Sequence, residues 1–278
     1  MGKRGRKRHP FQVAFTTLSA QLTDAERLAL LTISKTDDLT ALRRDKYSRG
    51  GGAPPSVHKT LHRATIVAAV GAWEAFNEEP ATVACDLDPT WPDRKDWFVI
   101  SGSRGAFQTP NSRKVRSTYW SLFHYDPIAD WAITVRTNAV ELGTGKSYWR
   151  GPRVTHVGDD AADFLDGVVN IRHDFAHQDS KLTRTSRGAK PARPLAGLAE
   201  QGRTGKWNVH LVHALNALSC VLQLAVLTAD GLCQHLEIVR DVNWTSAMTR
   251  ETWNTMLAGT PADDVITANW YLRSDVSR

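Results

Sequence analysis

From Trp207 the chain places apolar side chains at Leu211, Leu215, Leu218, Leu222 and Ala225, in steps of three and four that continue to about Leu236. That rhythm is the face of a long helix, and one so apolar must be a core helix. The rest of the chain has to cover it, and the same period recurs elsewhere. Phe164, Val168, Ile171 and Phe175 follow it behind Asp159 or Asp160, either of which can cap a helix start. Ile66, Val70, Trp73 and Phe76 or Asn77 follow it in a helix expected to begin at Ser56 and to end at Pro80. Thr109-Pro110-Asn111 reads as another helix start, with Val115, Tyr119, Leu122 and Phe123 on the buried face. Asp126-Pro127 is expected to open one more helix, with Ile128, Trp131 and Val135 on one side. Alternation with period two is scarce. The expected fold class is all-α, a helical bundle.

Gly50-Gly51-Gly52 and Pro54-Pro55 make the clearest break. They separate residues 1–55, a basic arm and an N-terminal helix, from a helical domain over 56–240. Residues 241–278 form a C-terminal extension. In the first part, Thr23 and Asp24 can cap a helix to about Tyr47; in the last, a short helix is expected near Thr249 to Leu257. Residues 81–108 show no regular pattern, and Gly143 to Gly158 is turn-rich and polar.

The whole chain has 278 residues, 41% of them hydrophobic and 23% charged, a globular rather than a disordered balance. No uninterrupted apolar run approaches the roughly 20 residues of a membrane span. The basic start, MGKRGRKRHPF, has no apolar segment behind it of the kind a secretion signal needs. Three cysteines, Cys85, Cys220 and Cys233, at unrelated spacings suggest neither a disulfide framework nor a metal knuckle. A soluble, cytoplasmic protein without a membrane partner is expected.

The net charge is +6. Lys3, Arg4, Arg6, Lys7 and Arg8 supply five of those charges, so the body of the chain is nearly neutral. Such an arm is either a solvated tail or a contact for nucleic-acid phosphates. A second basic stretch, Ser180 to Lys206, holds Lys181, Arg184, Arg187, Lys190, Arg193, Arg203 and Lys206 against the single acid Glu200. Its glycines and prolines mark a long irregular loop.

The segment just before that loop carries the densest chemistry: Asn170-Ile171-Arg172-His173-Asp174-Phe175-Ala176-His177. On a helix His173 and His177 share a face, about 40° apart. Arg172 lies at the edge of the apolar stripe and about 140° from His177. They converge through the long guanidinium arm, through fraying, or across a two-fold interface. Three readings compete. Cations in a last helical turn favour the negative end of the macrodipole and need no further role. HDFAH also imitates the HExxH zinc helix, with Asp in place of Glu and His210 or His213 as a loose third ligand. The third reading is metal-independent RNA cleavage. A histidine of near-neutral pKa takes the proton of a ribose 2′-hydroxyl or returns one to the leaving 5′-oxygen, while an arginine fork holds the phosphate. DNA, lacking that hydroxyl, should be spared.

Arg172-x4-His177, with His173 directly after the arginine, resembles the R-x(4–6)-H signature of HEPN domains, helical ribonucleases common in toxin–antitoxin and antiviral systems. Ala68-Ala69-Val70-Gly71-Ala72-Trp73-Glu74-Ala75-Phe76 resembles the first helix of the RiboL-PSP-HEPN subgroup. Phe107-Gln108-Thr109-Pro110-Asn111 with Val115-Arg116 and Leu122-Phe123 resembles its middle segment, and Leu165-Asp166-Gly167-Val168-Val169 its motif helix. The likeness runs over roughly 56–240. It implies a HEPN-like helical bundle, a homodimer with two motifs facing one cleft, RNA as substrate and no cofactor. Arg172 and His177 would be the catalytic pair and His173 the supporting polar group. Members of such systems imply an antitoxin or regulatory protein as a further partner. The basic insertion departs from the family, and Lys181, Arg184, Arg187 and Lys190 are read as a phosphate-contacting flap or else as a plain loop. A non-catalytic RNA-binding module of the same fold is the alternative. Glu74 and Asp174 are lesser candidates: Glu74 either orients an active-site arginine or, more simply, is an exposed helix acid. Trp73, Trp120, Trp131 and Trp207 are read as packing residues rather than base-stacking platforms.

Overall fold

The computed structural model describes residues 9–11, 13–15, 25, 28, 57–87, 110–136, 153–176, 197–201 and 207–238. Four helices dominate this part: α1 (Val57–Leu87), α2 (Ser112–Phe123), α3 (Asp159–Ala176) and α4 (Leu211–His235). Between them lie a 3-10 turn (Pro127–Asp130) and two antiparallel pairs of strands. The longer pair joins β1 (Ala132–Arg136) to β2 (Arg153–Val157), with Thr134 opposite Thr155. The shorter joins β3 (Glu200–Gln201) to β4 (Trp207–Asn208). The described fold is therefore mostly helical, with small sheets added, rather than purely α.

The sheet corrects one sequence expectation. Asp126 caps only the four-residue turn, accepting the Ile128 amide at 3.1 Å. The backbone then extends, because Trp131, Ile133 and Val135 alternate with Ala132 and Thr134. The first three are fully buried and the other two are half-buried. Branched and aromatic residues at period two fit a half-covered strand better than a helix. The strand β2 lies where the sequence suggested only turns.

A second correction concerns Pro80, which lies inside α1 rather than at its end. A proline there removes one ladder hydrogen bond and costs roughly 3 kcal/mol. Ala81 and Ala84 beyond it are buried in the core, and that packing carries the helix onward. The α2 start is as the sequence suggests, since Asn111 caps it by accepting the Lys114 amide at 3.0 Å. At its other end His124 takes the left-handed conformation, φ 53°, and returns its N–H to the Trp120 carbonyl.

The apolar helix α4 is central, packing on α1, β1, the 3-10 turn and α3. By length and composition its His213–His235 stretch is apolar enough to cross a membrane, but most of it is buried against the other elements. Two indoles pin the core. Trp73 donates to the Pro110 carbonyl at 2.9 Å, and Trp131 donates to the Thr228 hydroxyl at 2.9 Å. Phe11 and Phe15 join the same core, against Phe123 and Phe76 respectively.

Candidate functional site

The motif helix α3 is anchored before it reaches the motif. Asp166 accepts both the amide of Ser112 at 2.7 Å and its hydroxyl at 2.9 Å, so the start of α2 is tied to the middle of α3. Burial raises the Asp166 carboxyl above its ordinary value, against the two hydrogen bonds from Ser112. One helical turn further on, Val168, Val169 and Ile171 are buried, which fixes the rotation of the helix. That rotation leaves Arg172 at the rim of the apolar face, as its place on the helical wheel suggests.

Across the seam stands Glu74 of α1. Its carboxylate lies 3.6 Å from the Arg172 guanidinium, and the two side chains are 21% and 28% exposed. A pair so far withdrawn from water is screened less than a surface pair, and it restricts where the guanidinium points. Lys114 of α2 joins this cluster. Burial lowers the pKa of its ammonium, while the Glu74 carboxylate pushes it back up. Near the end of α3, the guanidinium of Arg63 lies 4.7 Å from the centre of the Phe175 ring. Arg63 precedes Glu74 in α1 and Phe175 follows Arg172 in α3, so the two helices run antiparallel along the seam.

The arrangement is one acid among three cations on three helices: Glu74, Arg172, Lys114 and, further along, Arg63. It can hold a guanidinium in place and present positive charge to an anion. His173 is half-buried rather than turned wholly to water. His177, Lys181, Arg184, Arg187 and Lys190 lie outside the described residues, as do the basic arm over residues 1–8 and the extension over 241–278.

Of His210 and His213, considered above as a loose third zinc ligand, His213 has one ring nitrogen engaged. The ring Nδ1 of His213 accepts the His210 amide at 3.0 Å, and His62 donates from Nδ1 to the Val209 carbonyl at 3.1 Å. Among the described residues no three or more His, Cys, Asp or Glu side chains are grouped to hold a metal. Lys114 and Asp166 were missed as site residues by sequence reasoning. The Asn111 cap, which fixes where α2 begins, was the available signal for the first.

Trp120 corrects another expectation. Trp73 and Trp131 are fully buried, but Trp120 is 56% exposed, with the His124 ring perpendicular to it at 6.1 Å and 89°. Comparison with protein-family models, curated proteins and solved structures finds no match.

Proposed function

We propose that this chain is a metal-independent endoribonuclease of the HEPN type, acting as a homodimer in toxin–antitoxin or antiviral defence. The observation that carries this reading is the Glu74–Arg172 pair, an arginine held by a carboxylate of another helix at the rim of the motif helix. An arginine present only to offset the macrodipole at a helix end needs no such partner.

In this reading the Arg172 guanidinium binds the scissile phosphate and offsets charge on its non-bridging oxygens. His177 takes the proton from the ribose 2′-hydroxyl, whose oxygen attacks phosphorus. The P–O5′ bond breaks and the 5′-oxygen leaves with the proton that His177 returns, giving a 2′,3′-cyclic phosphate and a free 5′-hydroxyl. His173 is the polar group beside them. The phosphates flanking the cut meet Lys181, Arg184, Arg187 and Lys190. Arg172 of one protomer acts with His177 of its partner, which removes the 140° problem of a single helix.

The test is the purified protein on single-stranded RNA with EDTA present. Cleavage with cyclic-phosphate ends is expected, absent in Arg172→Ala and in His177→Ala, and restored when the two inactive variants are mixed. Equal cleavage by both variants would remove the reading. A non-catalytic RNA-binding module is the second reading, favoured by the exposed Trp120 and the cations of α2, which bind without chemistry. It predicts salt-sensitive binding and no product.

A further inference from the structure

The helix α2 has an outward row made of Arg113, Arg116, Ser117 and Trp120, closed by His124, and all five are exposed. Its twelve residues include three cations and no acid. Arg116 is already engaged, at 3.0 Å from Asp126 and 3.4 Å from Asp159, so its single charge is set against two carboxylates and Arg113 is the row's other cation. Arg113 lies two turns before Trp120 on the same face. Beside it, the Trp120 indole lies perpendicular to the His124 ring and is more than half exposed, so a single small ring does not cover both of its faces.

We propose that this row is a binding platform for single-stranded nucleic acid, with a base stacked on Trp120 and a backbone phosphate on Arg113. An exposed indole on a helix surface needs a reason. A flat ring with a cation two turns away matches the alternation of base and phosphate along a strand. Duplexes keep their bases stacked internally and offer the indole nothing. The platform extends the nuclease reading without depending on it. Its row starts at the end of α2 that Ser112 ties to Asp166, and Trp120 stands about 9 Å along the axis from Lys114, whose ammonium interacts with the Glu74 carboxylate that pairs with Arg172.

The experiment measures anisotropy of a fluorescein-labelled single-stranded DNA of mixed sequence, which cannot be cut through a 2′-hydroxyl, titrated with the full-length protein. Trp120→Ala is expected to weaken binding about tenfold or more, and Trp120→Phe, which keeps a ring, by no more than about threefold. Arg113→Gln is expected to lower the slope of log affinity against log salt by about 0.7. Circular dichroism confirms folding of each variant, which an exposed site tolerates. Affinity unchanged in Trp120→Ala, or equal loss in Phe and Ala, would overturn the platform, as would a preference for duplex DNA; unchanged affinity would leave the indole to a protein partner. RNA cleavage separates the two proposals. A platform without a nuclease binds DNA and leaves RNA whole, while a nuclease without a platform cuts RNA with the same KM in Trp120→Ala.

Discussion

Gly231 shows how much one absent methyl group decides. A Cβ at that position of α4 would overlap the Tyr125 hydroxyl and an Asp130 carboxylate oxygen, and would lie 2.9 Å from Tyr125 Cζ. Those two groups form a 2.7 Å hydrogen bond that straddles the 3-10 turn. Gly231→Ala must either break that bond or push α4 off the turn, and is expected to cost about 1–3 kcal/mol. Urea denaturation measures it. Under the proposed nuclease function, Glu74 is the corresponding residue. Glu74→Gln keeps the volume and removes the charge facing Arg172. If Glu74 positions that guanidinium, kcat on RNA should fall about tenfold or more, with KM and the melting temperature little changed. A parallel loss of stability, with kcat intact, would make the pair a structural tie. His213 sets a pH response. Burial, with His210 and His62 nearby, lowers its pKa to about 3, against about 6.5 in an unfolded chain. Above pH 6.5 neither state holds the proton. Below it the unfolded chain takes one up and the folded chain does not, so stability falls as pH drops from about 6.5 towards 3. The expected slope is on the order of 1 kcal/mol per pH unit. Urea midpoints between pH 7.5 and 5.5, above the carboxylate range, should show that slope, and His213→Gln should flatten it.

At the scale of elements, α1 and β1 behave differently from their local propensities for opposite reasons. The helix α1 passes through Pro80 because buried alanines beyond it hold the turn in place. It also contains Gly71, where an added Cβ would meet nothing within 4 Å. Glycine inside a helix costs roughly 0.5–1 kcal/mol relative to alanine. Gly71→Ala should therefore raise stability by about that amount in thermal melting, since no close approach among the described residues requires the glycine. The strand β1 is held by a side chain as much as by β2. Gln223 of α4 accepts the Thr134 amide at 2.9 Å and donates to the Thr134 carbonyl at 3.1 Å, so its amide stands in for a neighbouring strand. Such a cover satisfies edge groups that would otherwise be open to pairing with another chain.

For the whole molecule, one core unites segments far apart in sequence. Phe11 and Phe15 meet α1 and α2, Trp131 reaches Thr228, and Ser112 reaches Asp166. The motif helix is clamped in its middle and towards its end: by Asp166 to α2, and by Arg172 and Phe175 to α1. That is the kind of rigid support a phosphate-holding arginine requires.

The sequence alone determined the helical frame. The three-and-four rhythm placed α1, α3 and α4, and the Thr109-Pro110-Asn111 signal placed α2 to within a residue or two, because burial of one face is encoded every turn. It also singled out Arg172, but left Glu74 between orienting an arginine and being a plain exposed helix acid. It misjudged Pro80 and the stretch after Asp126, where packing against distant residues outweighs local preference. Only the tertiary structure decided that Glu74 stands beside Arg172 and within reach of Lys114, that Trp120 faces outward, and that Gln223 covers β1. Each of these depends on how two helices are rotated against a shared core, a quantity that no single stretch of sequence contains.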